Sequence, residues 1–441
     1  MYRKALGKLQ EWKNSTSRMP LIIRGARQVG KTWLMKEFGR TGYPKVAYIN
    51  FDGNERMKRF FAGDLEISRL LRGLGLEAEC SIEPENTLII FDEVQEVPHA
   101  LTSLKYFQEN APQYHIIAAG SLLGVALHPG TSFPVGKVSF LDLFPLSFAE
   151  FMQAMGMKDY LDLLLKQDWD LISSFKDRYS ESLKQYIFTG GMPEVVAAFA
   201  QRHDYNEARE IQLRIIAAYE QDLSKHAPNE TVPRIRMLWN SVPSQLAKEN
   251  RKFIYGLVRK GARAREYELA MMWLTDCGLI HRINRIAKPG LPLRTYEDAN
   301  AFKLYMLDTG LLSALSGLEA KTLLDGNRIF MEFKGALTEQ YVLQQFKCEK
   351  ELPVFYWSSE EGTSEIDFVI QANGRIIPVE VKASENLRAK SIKVYKEKYS
   401  PEICIRLSMS DYRNEGWLIN LPLYALPTLP RMLSQKSSQA T

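Results

Sequence analysis

Cysteine is scarce in this sequence, and no two cysteines are close together. Cys80, Cys277, Cys348 and Cys404 are spread over 441 residues without a C-x-x-C pair. This spacing indicates neither a zinc site nor a disulfide framework and is typical of core residues in a reducing compartment. The sequence also lacks an apolar run of about eighteen residues and an apolar signal segment after Met1. We therefore expect a cytoplasmic protein that has no membrane partner.

The composition is that of a globular protein with more than one domain. Hydrophobic residues make up 45% of the chain and charged residues 25%. The length of the chain exceeds what one core usually organises, so about three domains are expected. The net charge of +5 comes from 57 basic and 52 acidic residues, which permits contact with nucleic acid but does not require it. Composition alone therefore names no partner.

The most informative segment is GARQVGKT, residues 25–32, which fits the phosphate-loop pattern G-x-x-x-x-G-K-[ST] without a mismatch. It follows an apolar run at residues 21–23 and precedes a helix-forming run at residues 33–38, which is the strand, loop and helix context that such a loop needs. Lys31 is expected to reach the β- and γ-phosphates of ATP, and the Thr32 hydroxyl to ligate Mg²⁺. The predicted nucleotide contacts are Gly25, Ala26, Arg27, Gln28, Val29, Gly30, Lys31, Thr32 and Trp33.

A second nucleotide-site motif follows downstream. Residues 87–91 (TLIIF) are nearly all apolar, which is typical of a parallel strand covered on both faces. The run ends in Asp92 and Glu93, the acidic pair of a Walker B motif. Asp92 is expected to hold Mg²⁺, and Glu93 to polarise the attacking water. Lys31, Asp92 and Glu93 are therefore the predicted catalytic residues.

Two further runs predict strands of the same sheet, residues 45–51 (KVAYINF) and 115–119 (HIIAA). The second is followed by Ser121, at the place where a polar side chain beside Walker B senses the γ-phosphate. Capping of the next turn is an equally good interpretation of Ser121. Strands that alternate with helices predict an α/β fold, a three-layer parallel sheet with the nucleotide beyond the carboxyl ends of the strands.

Five segments together resemble a family of bacterial and archaeal AAA-type ATPases that carry a C-terminal domain of unknown function. They are GARQVGKT, LIIFDEVQ, AAGSLLG, VGKVSFLDLFPLSFAEF and GGMPEVV. The resemblance implies ATP and Mg²⁺ as cofactors, a P-loop AAA-type core in residues 1–150 and a helical lid in residues 151–228. Many relatives have an arginine near Lys137, where this chain has Gly136 before the lysine. The identity of an arginine finger, and whether hydrolysis needs a homo-oligomer, are therefore left open.

Residues 229–310 predict a winged-helix-like module. Tyr267, Ala270, Met271 and Leu274 recur at the spacing of an amphipathic helix, and residues 279–286 alternate like a strand. Basic residues before and at the start of that helix favour contact with DNA, and a solvated basic face is the alternative. They are Arg251, Lys252, Arg259, Lys260, Arg263 and Arg265.

Residues 325–430 predict an α/β domain that resembles the restriction-endonuclease-like fold. Asp367, followed on the next predicted strand by Glu380 and Lys382, forms a D…E-x-K pattern. In this pattern the carboxylates bind Mg²⁺ and the lysine positions the attacking water. Glu339, on the preceding helix, matches a further metal-ligating acid of resolvase-like members. The alternative is a packing or docking module in which the carboxylates pair with nearby cations.

Three functional hypotheses remain. The first is a Mg²⁺-dependent ATPase that binds ATP and ADP and couples nucleotide state to its C-terminal domains, with nucleic acid as a candidate partner. The second is a nucleotide-gated nuclease that uses Glu339, Asp367, Glu380 and Lys382. The third is a non-enzymatic switch in which ATP changes the partner that is held. The acidic pair after residue 91 favours hydrolysis over binding alone.

Overall fold

The computed structural model describes residues 1–120, 134, 136–247, 252–324, 331–349, 352–359, 364–383 and 390–435. Packing divides the chain into two compact units. The N-terminal unit contains residues 2–144 with residues 276–278, and the C-terminal unit contains Met1, residues 145–275 and residues 279–441. The division into a lid, a winged-helix-like module and a nuclease-like domain within the larger unit stays a prediction.

The N-terminal unit is built on a five-stranded parallel sheet with strand order β2-β3-β4-β1-β5. The strands are β1 Leu21–Arg24, β2 Lys45–Asn50, β3 Thr87–Asp92, β4 His115–Ala119 and β5 Ser139–Asp142. Helix α1 Ala5–Asn14 precedes the first strand. Between the strands lie α2 Lys31–Gly42, α3 Glu55–Phe61, α4 Ile67–Glu77 and α5 Pro98–Asn110, with a 3₁₀ turn at Val94–Glu96. The predicted parallel α/β sheet is confirmed.

Strand β3 lies inside this sheet, and all six of its residues are buried. Its neighbours β2 and β4 pair with it in parallel, and the burial of successive residues shows that both faces of the strand are covered. One hydrophobic cluster joins Ile89 and Phe91 to Phe51, Phe61 and Leu104 of the neighbouring strand end and helices. This packing explains why the run TLIIF is apolar at successive positions. It also fixes the position of Asp92, the last residue of the strand.

The C-terminal unit combines many helices with an eight-stranded mixed sheet of order β12-β13-β11-β10-β9-β8-β6-β7. The strands are β6 Ile280–Ile286, β7 Glu297–Met306, β8 Val354–Ser358, β9 Glu365–Ala372, β10 Arg375–Val381, β11 Cys404–Ser408, β12 Arg413–Asn414 and β13 Leu418–Pro422. Short 3₁₀ helices occupy Leu293–Tyr296 and Leu423–Thr428.

The described helices of this unit range from four to twenty-two residues in length. They are α6 Phe148–Ala154, α7 Lys158–Lys166, α8 Trp169–Ser174, α9 Lys176–Thr189, α10 Pro193–Arg202, α11 Tyr205–His226, α12 Val232–Leu246, α13 Tyr255–Val258, α14 Ala264–Asp276, α15 Thr309–Leu315, α16 Ala320–Leu324, α17 Met331–Glu349, α18 Lys390–Tyr399 and α19 Leu429–Gln435. Among the described residues, no helix is long and apolar enough to cross a bilayer.

The hairpin of β6 and β7 belongs to the same sheet as the C-terminal strands. Helix α14 buries Tyr267, Ala270, Met271 and Leu274, the four residues that predicted it. The strand that follows, β6, pairs antiparallel with β7 and parallel with β8. The predicted wing is thus an extension of the eight-stranded sheet, and the winged-helix interpretation of residues 229–310 stays a prediction.

The GGMP turn after α9 is held by a buried carboxylate. Gly190 has φ +70°, and a Cβ on it would lie 2.0 Å from Asp308 Oδ1, so both backbone and space require glycine. Asp308 accepts hydrogen bonds from the Gly191 N–H at 2.6 Å, the Leu311 N–H at 3.0 Å and Gln344 Nε2 at 2.8 Å. One side chain therefore joins the turn to the start of α15 and to α17.

Asp308→Ala will destabilise the C-terminal unit strongly. The change leaves buried donors of the turn, α15 and α17 without their acceptor, which costs roughly 3 kcal/mol or more. In a domain of this size that free energy lowers the melting temperature by on the order of 5–10 °C. A thermal melt followed by tryptophan fluorescence measures the shift. Asp308→Asn keeps one acceptor oxygen, so its melting temperature should fall less. Equal melting temperatures of Asp308→Ala and wild type would contradict the structural role of Asp308.

Candidate functional site

The loop between β1 and α2 has the backbone of a phosphate cradle. Gly25 has φ +149°, and a Cβ there would lie 2.2 Å from the Leu143 carbonyl oxygen. Gln28 and Gly30 also have positive φ, at 65° and 93°. This combination bends the chain so that successive N–H groups can face one concave side, where an anion binds. The sequence pattern and the backbone therefore agree on Gly25 to Thr32.

Helix α2 begins directly at Lys31, and Gly30 is its N-cap residue. Within this helix no side chain caps the first turn and no acid lies there. The free N–H groups and the positive end of the helix dipole are therefore available to an anion. Thr32 is half-buried at this end, whereas Trp33 is 40% exposed.

Lys31 is buried and lies back against its own loop. Its ammonium donates to the carbonyl oxygens of Gly25 at 3.0 Å and Ala26 at 2.9 Å. Burial lowers the pKa of Lys31 to about 8, and the negative charges of Glu93 and Asp92 act in the opposite direction. A poorly solvated cation held by two neutral acceptors is well prepared to exchange them for anionic oxygens.

Asp92 and Glu93 lie at the end of β3, as predicted. Asp92 is 4% exposed and accepts hydrogen bonds from the Tyr48 hydroxyl at 2.9 Å and the Glu93 N–H at 3.1 Å. Glu93 has a left-handed backbone, with φ 52° and ψ 45°, and its carboxylate accepts from Gln95 Nε2 at 2.6 Å. The charges of both acids favour the protonated form of Lys31, as expected for motifs at the same edge of a parallel sheet.

Tyr48 and Gln95 are the residues of this site that sequence patterns did not single out. Tyr48 lies on β2, which pairs with β3 in parallel register. Burial raises the pKa of the Tyr48 phenol, and the negative charge of Asp92 adds to this effect, so the hydroxyl remains a donor. Gln95 is 5% exposed in the 3₁₀ turn after Glu93. Its place in LIIFDEVQ, two residues after Glu93, is the available signal.

Two other predictions concern a sensor of the γ-phosphate and an arginine finger. Ser121, the predicted γ-phosphate sensor, lies outside the described residues, so its role stays a prediction. Lys137, the residue near which many relatives have an arginine, forms an ion pair with Glu109 at 3.1 Å. That pairing favours an ordinary surface lysine over a substitute for an arginine finger.

A second cluster of acids lies on the sheet of the C-terminal unit. Lys382 Nζ lies 3.2 Å from Glu380 Oε1, and Asp367 accepts a hydrogen bond from the Val381 N–H at 2.7 Å. Burial raises the pKa of Glu380, the positive charge of Lys382 lowers it, and the charge of Asp367 raises it again. Glu380 Oε2 is buried and accepts no hydrogen bond from the described residues. The structure thus brings Asp367, Glu380 and Lys382 together.

Glu339 has other partners. Its carboxylate accepts from the Tyr305 hydroxyl at 3.1 Å and lies 3.9 Å from Lys303 Nζ, a fully buried ammonium that also pairs with Glu365. Among the described residues, no three His, Cys, Asp or Glu side chains are arranged to hold a metal ion. The second metal site made of Glu339, Asp367 and Glu380 therefore stays a prediction.

The basic residues before α14 form an exposed surface. Lys252, Arg259, Lys260, Arg263 and Arg265 are all exposed, and the segment from the first to the last of them contains no acid. Arg259 Nη2 lies 3.5 Å from Glu266 Oε2 and forms an ion pair with it. Arg251 lies outside the described residues.

A parallel sheet with a glycine loop, a buried lysine and an acidic pair at the strand end defines a P-loop nucleotide-binding domain. Residues 17–152 match the family model described as an AAA domain. Residues 180–322 match a domain of unknown function (DUF8612), and residues 334–424 match another (DUF4143). The N-terminal unit is thus an AAA-type P-loop domain, followed by two segments whose families are described without a function.

Solved structures give distant likenesses. The Walker-type ATPase PABY2304 of Pyrococcus abyssi is 15% identical over 71% of this chain and 95% of that chain, with a TM-score of 0.44. The ORC1 protein of Aeropyrum pernix in complex with DNA is 14% identical over 71% and 91%, with a TM-score of 0.27. Cdc6p of Pyrobaculum aerophilum is 12% identical over 74% and 94%, with a TM-score of 0.24. No curated protein matches the chain significantly.

Proposed function

We propose that this protein is a Mg²⁺-dependent ATPase whose nucleotide site is formed by residues 25–33 with Asp92 and Glu93. The observation that carries the proposal is that the glycine loop with its buried Lys31 follows β1, while Asp92 ends β3 of the same parallel sheet and Glu93 follows it, which brings both motifs to one edge. Phosphate binding needs the loop and the lysine, and hydrolysis needs in addition an acid placed for a water molecule. The match of residues 17–152 to an AAA domain supports this assignment.

The residues present fit a bound Mg²⁺ ion, because the Thr32 hydroxyl and the buried Asp92 carboxylate are oxygen ligands of the kind that Mg²⁺ accepts beside phosphates. When bound, the ion neutralises charge on the β- and γ-phosphates. Lys31 leaves the carbonyls of Gly25 and Ala26 and binds phosphate oxygens. Tyr48 and the Glu93 N–H hold Asp92 in one orientation.

Glu93 orients the attacking water in the proposed reaction. The water oxygen bonds to the γ-phosphorus while the bond from that phosphorus to the β–γ bridging oxygen breaks. One proton of the water passes to the Glu93 carboxylate and from there to solvent, so that ATP and water give ADP, phosphate and a proton. Positioning and charge stabilisation supply the catalysis, since the phosphoryl group needs little covalent help.

Nucleotide affinity will fall as the pH rises above about 8. The lysine of the free protein loses its proton near pH 8, whereas phosphate oxygens keep it protonated in the complex. Binding at higher pH must therefore take up a proton, and affinity falls by up to about tenfold per pH unit. Calorimetry in buffers of different ionisation enthalpy should detect roughly three quarters of a proton taken up at pH 8.5 and little at pH 7. Constant affinity from pH 7 to 9.5 would contradict the lowered pKa.

A steady-state ATPase assay with Mg²⁺, with and without added nucleic acids, tests the proposed function. We expect turnover that EDTA abolishes. Tight retention of ADP with negligible turnover under every condition would contradict hydrolysis and favour the switch hypothesis. Stimulation by duplex DNA supports coupling between the nucleotide site and the basic surface formed by Lys252, Arg259, Lys260, Arg263 and Arg265.

That surface supports DNA as the partner of the ATPase. Its cations are exposed and nearly free of ion pairs in the described chain, which suits binding to a phosphate backbone. Neutralising Lys260 and Arg263 together should weaken duplex binding and lower the salt slope by roughly 2, about one for each phosphate that the protein no longer neutralises. Lys58→Ala with Lys105→Ala, which also removes two exposed positive charges, is the matched control.

A second candidate function is metal-dependent cleavage of a phosphodiester in the C-terminal unit. Helix α17, strands β8 to β10, helix α18 and strand β11 follow in the order of the restriction-endonuclease-like fold, and Asp367, Glu380 and Lys382 are adjacent. The free carboxylate oxygen of Glu380 fits a Mg²⁺ ligand.

Supercoiled, linear, branched and single-stranded DNA incubated with Mg²⁺ or Mn²⁺ provide the test of this second function. Cleavage should disappear in Asp367→Ala and persist in Glu402→Ala, an exposed acid whose partner in the structure is Arg375. Cleavage that is unchanged by Asp367→Ala would exclude this site as its source.

A further inference from the structure

Gln95 is buried beside the acid that is proposed to activate water. It follows Glu93 by two residues in a tight 3₁₀ turn and is 5% exposed. Its side-chain nitrogen lies 2.6 Å from Glu93 Oε2. The left-handed backbone of Glu93 directs the chain into this turn. The turn brings together two side chains that an extended chain would direct to opposite sides.

The chemistry of the contact fixes which end of the amide faces the acid. A carboxylate accepts hydrogen bonds, so the NH₂ group must point toward it, and the reversed amide would set two acceptors against each other. The Gln95 carbonyl oxygen is then the outward end. This oxygen is buried, and no described residue donates to it. A buried acceptor without a donor costs free energy, and beside a carboxylate a water molecule is one group that can satisfy it.

The spacing of the two side chains matches a single bridging water molecule, which must enter when the site opens for ATP because Gln95 Oε1 is closed to solvent in the free protein. The nitrogen and oxygen of an amide are about 2.3 Å apart, so Gln95 Oε1 lies within about 5 Å of the Glu93 carboxylate. A water that donates to both oxygens at about 2.8 Å spans about 4.5 Å. Its two protons are then directed at Glu93 and Gln95, which leaves a lone pair of the water oxygen directed away from both.

We propose that Gln95 positions the attacking water together with Glu93. It holds the carboxylate in place through its NH₂ group. Its carbonyl oxygen accepts a hydrogen bond from the second O–H of the water. Glu93 takes the first proton as the water oxygen bonds to the γ-phosphorus, and Gln95 gains and loses none. This role rests on the proposed hydrolysis of ATP. It assigns the glutamine of LIIFDEVQ to the chemical step and not to nucleotide binding.

The test replaces Gln95 by leucine, which has a similar size and makes no hydrogen bonds. We expect kcat to fall at least tenfold, while the Kd for ATP changes less than twofold. Glu96→Gln, in the same turn but exposed, is the control and should match the wild type. If Gln95→Leu does not fold, as judged by its thermal melt, Gln95→Met is used in the same measurements.

A double-mutant cycle with Glu93→Gln separates a role in chemistry from a role in packing. If Gln95 acts through the water that Glu93 activates, adding Gln95→Leu to Glu93→Gln should change kcat less than twofold. A full additional loss in that background overturns the proposal, and so does wild-type kcat in Gln95→Leu. Wild-type protein without ATP turnover overturns the proposed function itself, and the two failures are therefore distinguishable.

Discussion

Lys31→Ala protein will bind ATP and ADP at least about a hundredfold more weakly than wild type, because the variant cannot form the charge-assisted hydrogen bonds to phosphate. In the free protein the ammonium is buried and tied to the carbonyls of Gly25 and Ala26. Those acceptors are neutral, so the exchange for anionic phosphate oxygens is favourable. The affinity of a fluorescent nucleotide analogue, measured by anisotropy, gives the result directly.

Two companion variants separate loss of the charge from loss of the fold. Lys31→Met keeps the length and most of the volume of the side chain, so it should lose nucleotide affinity while its melting temperature stays close to that of wild type. Lys8→Ala removes an exposed lysine of α1 and should bind as wild type does. Tight ATP binding by both Lys31 variants would show that the loop does not hold the phosphates.

Glu93→Gln protein will bind ATP and barely hydrolyse it. The amide keeps the size of the side chain and can still accept from Gln95, but it cannot take a proton from water. Loss of a general base lowers turnover by roughly 10²- to 10⁴-fold. We expect a fall in kcat of that size with a Kd for ATP within about threefold of wild type. Single-turnover release of phosphate measures the chemical step.

The control for this variant lies in the same turn. Glu96 is exposed, so Glu96→Gln should keep the wild-type kcat. Equal turnover of Glu93→Gln and wild type would overturn the assignment of Glu93, and a parallel loss of ATP binding would indicate a role in binding instead. Together with Lys31→Ala, this variant separates the binding of phosphate from the activation of water.

Much of the N-terminal unit could be predicted from local patterns. The strands β1 to β4 are short apolar runs. The phosphate loop needs a backbone with positive φ, which glycine adopts easily and which Gly25 has. Strand β5 lies at the edge of the sheet and buries one of its four residues, so it has a weaker apolar pattern. The role of Tyr48 was not predictable, because its contact with Asp92 depends on the pairing of β2 with β3.

The C-terminal unit was less predictable because its key contacts join distant segments. The helix α14 was identified by four apolar residues, and all four are buried. Glu339 lies on the predicted helix, yet its carboxylate meets Tyr305 and Lys303 of β7, and no local pattern indicates that this strand lies beside the helix. The parallel pairing of β6 with β8 likewise depends on register between segments far apart in sequence.

The phosphate loop, the acidic pair and the strands that carry them could be inferred from the sequence, because each is a short run of residues next to one another in the chain. Which groups surround those residues depends on how distant segments pack together. Strand pairing aims Tyr48 at Asp92, a left-handed Glu93 turns Gln95 back to its carboxylate, and burial lowers the pKa of Lys31. Orientation and desolvation arise from packing between segments, and a linear pattern does not specify them.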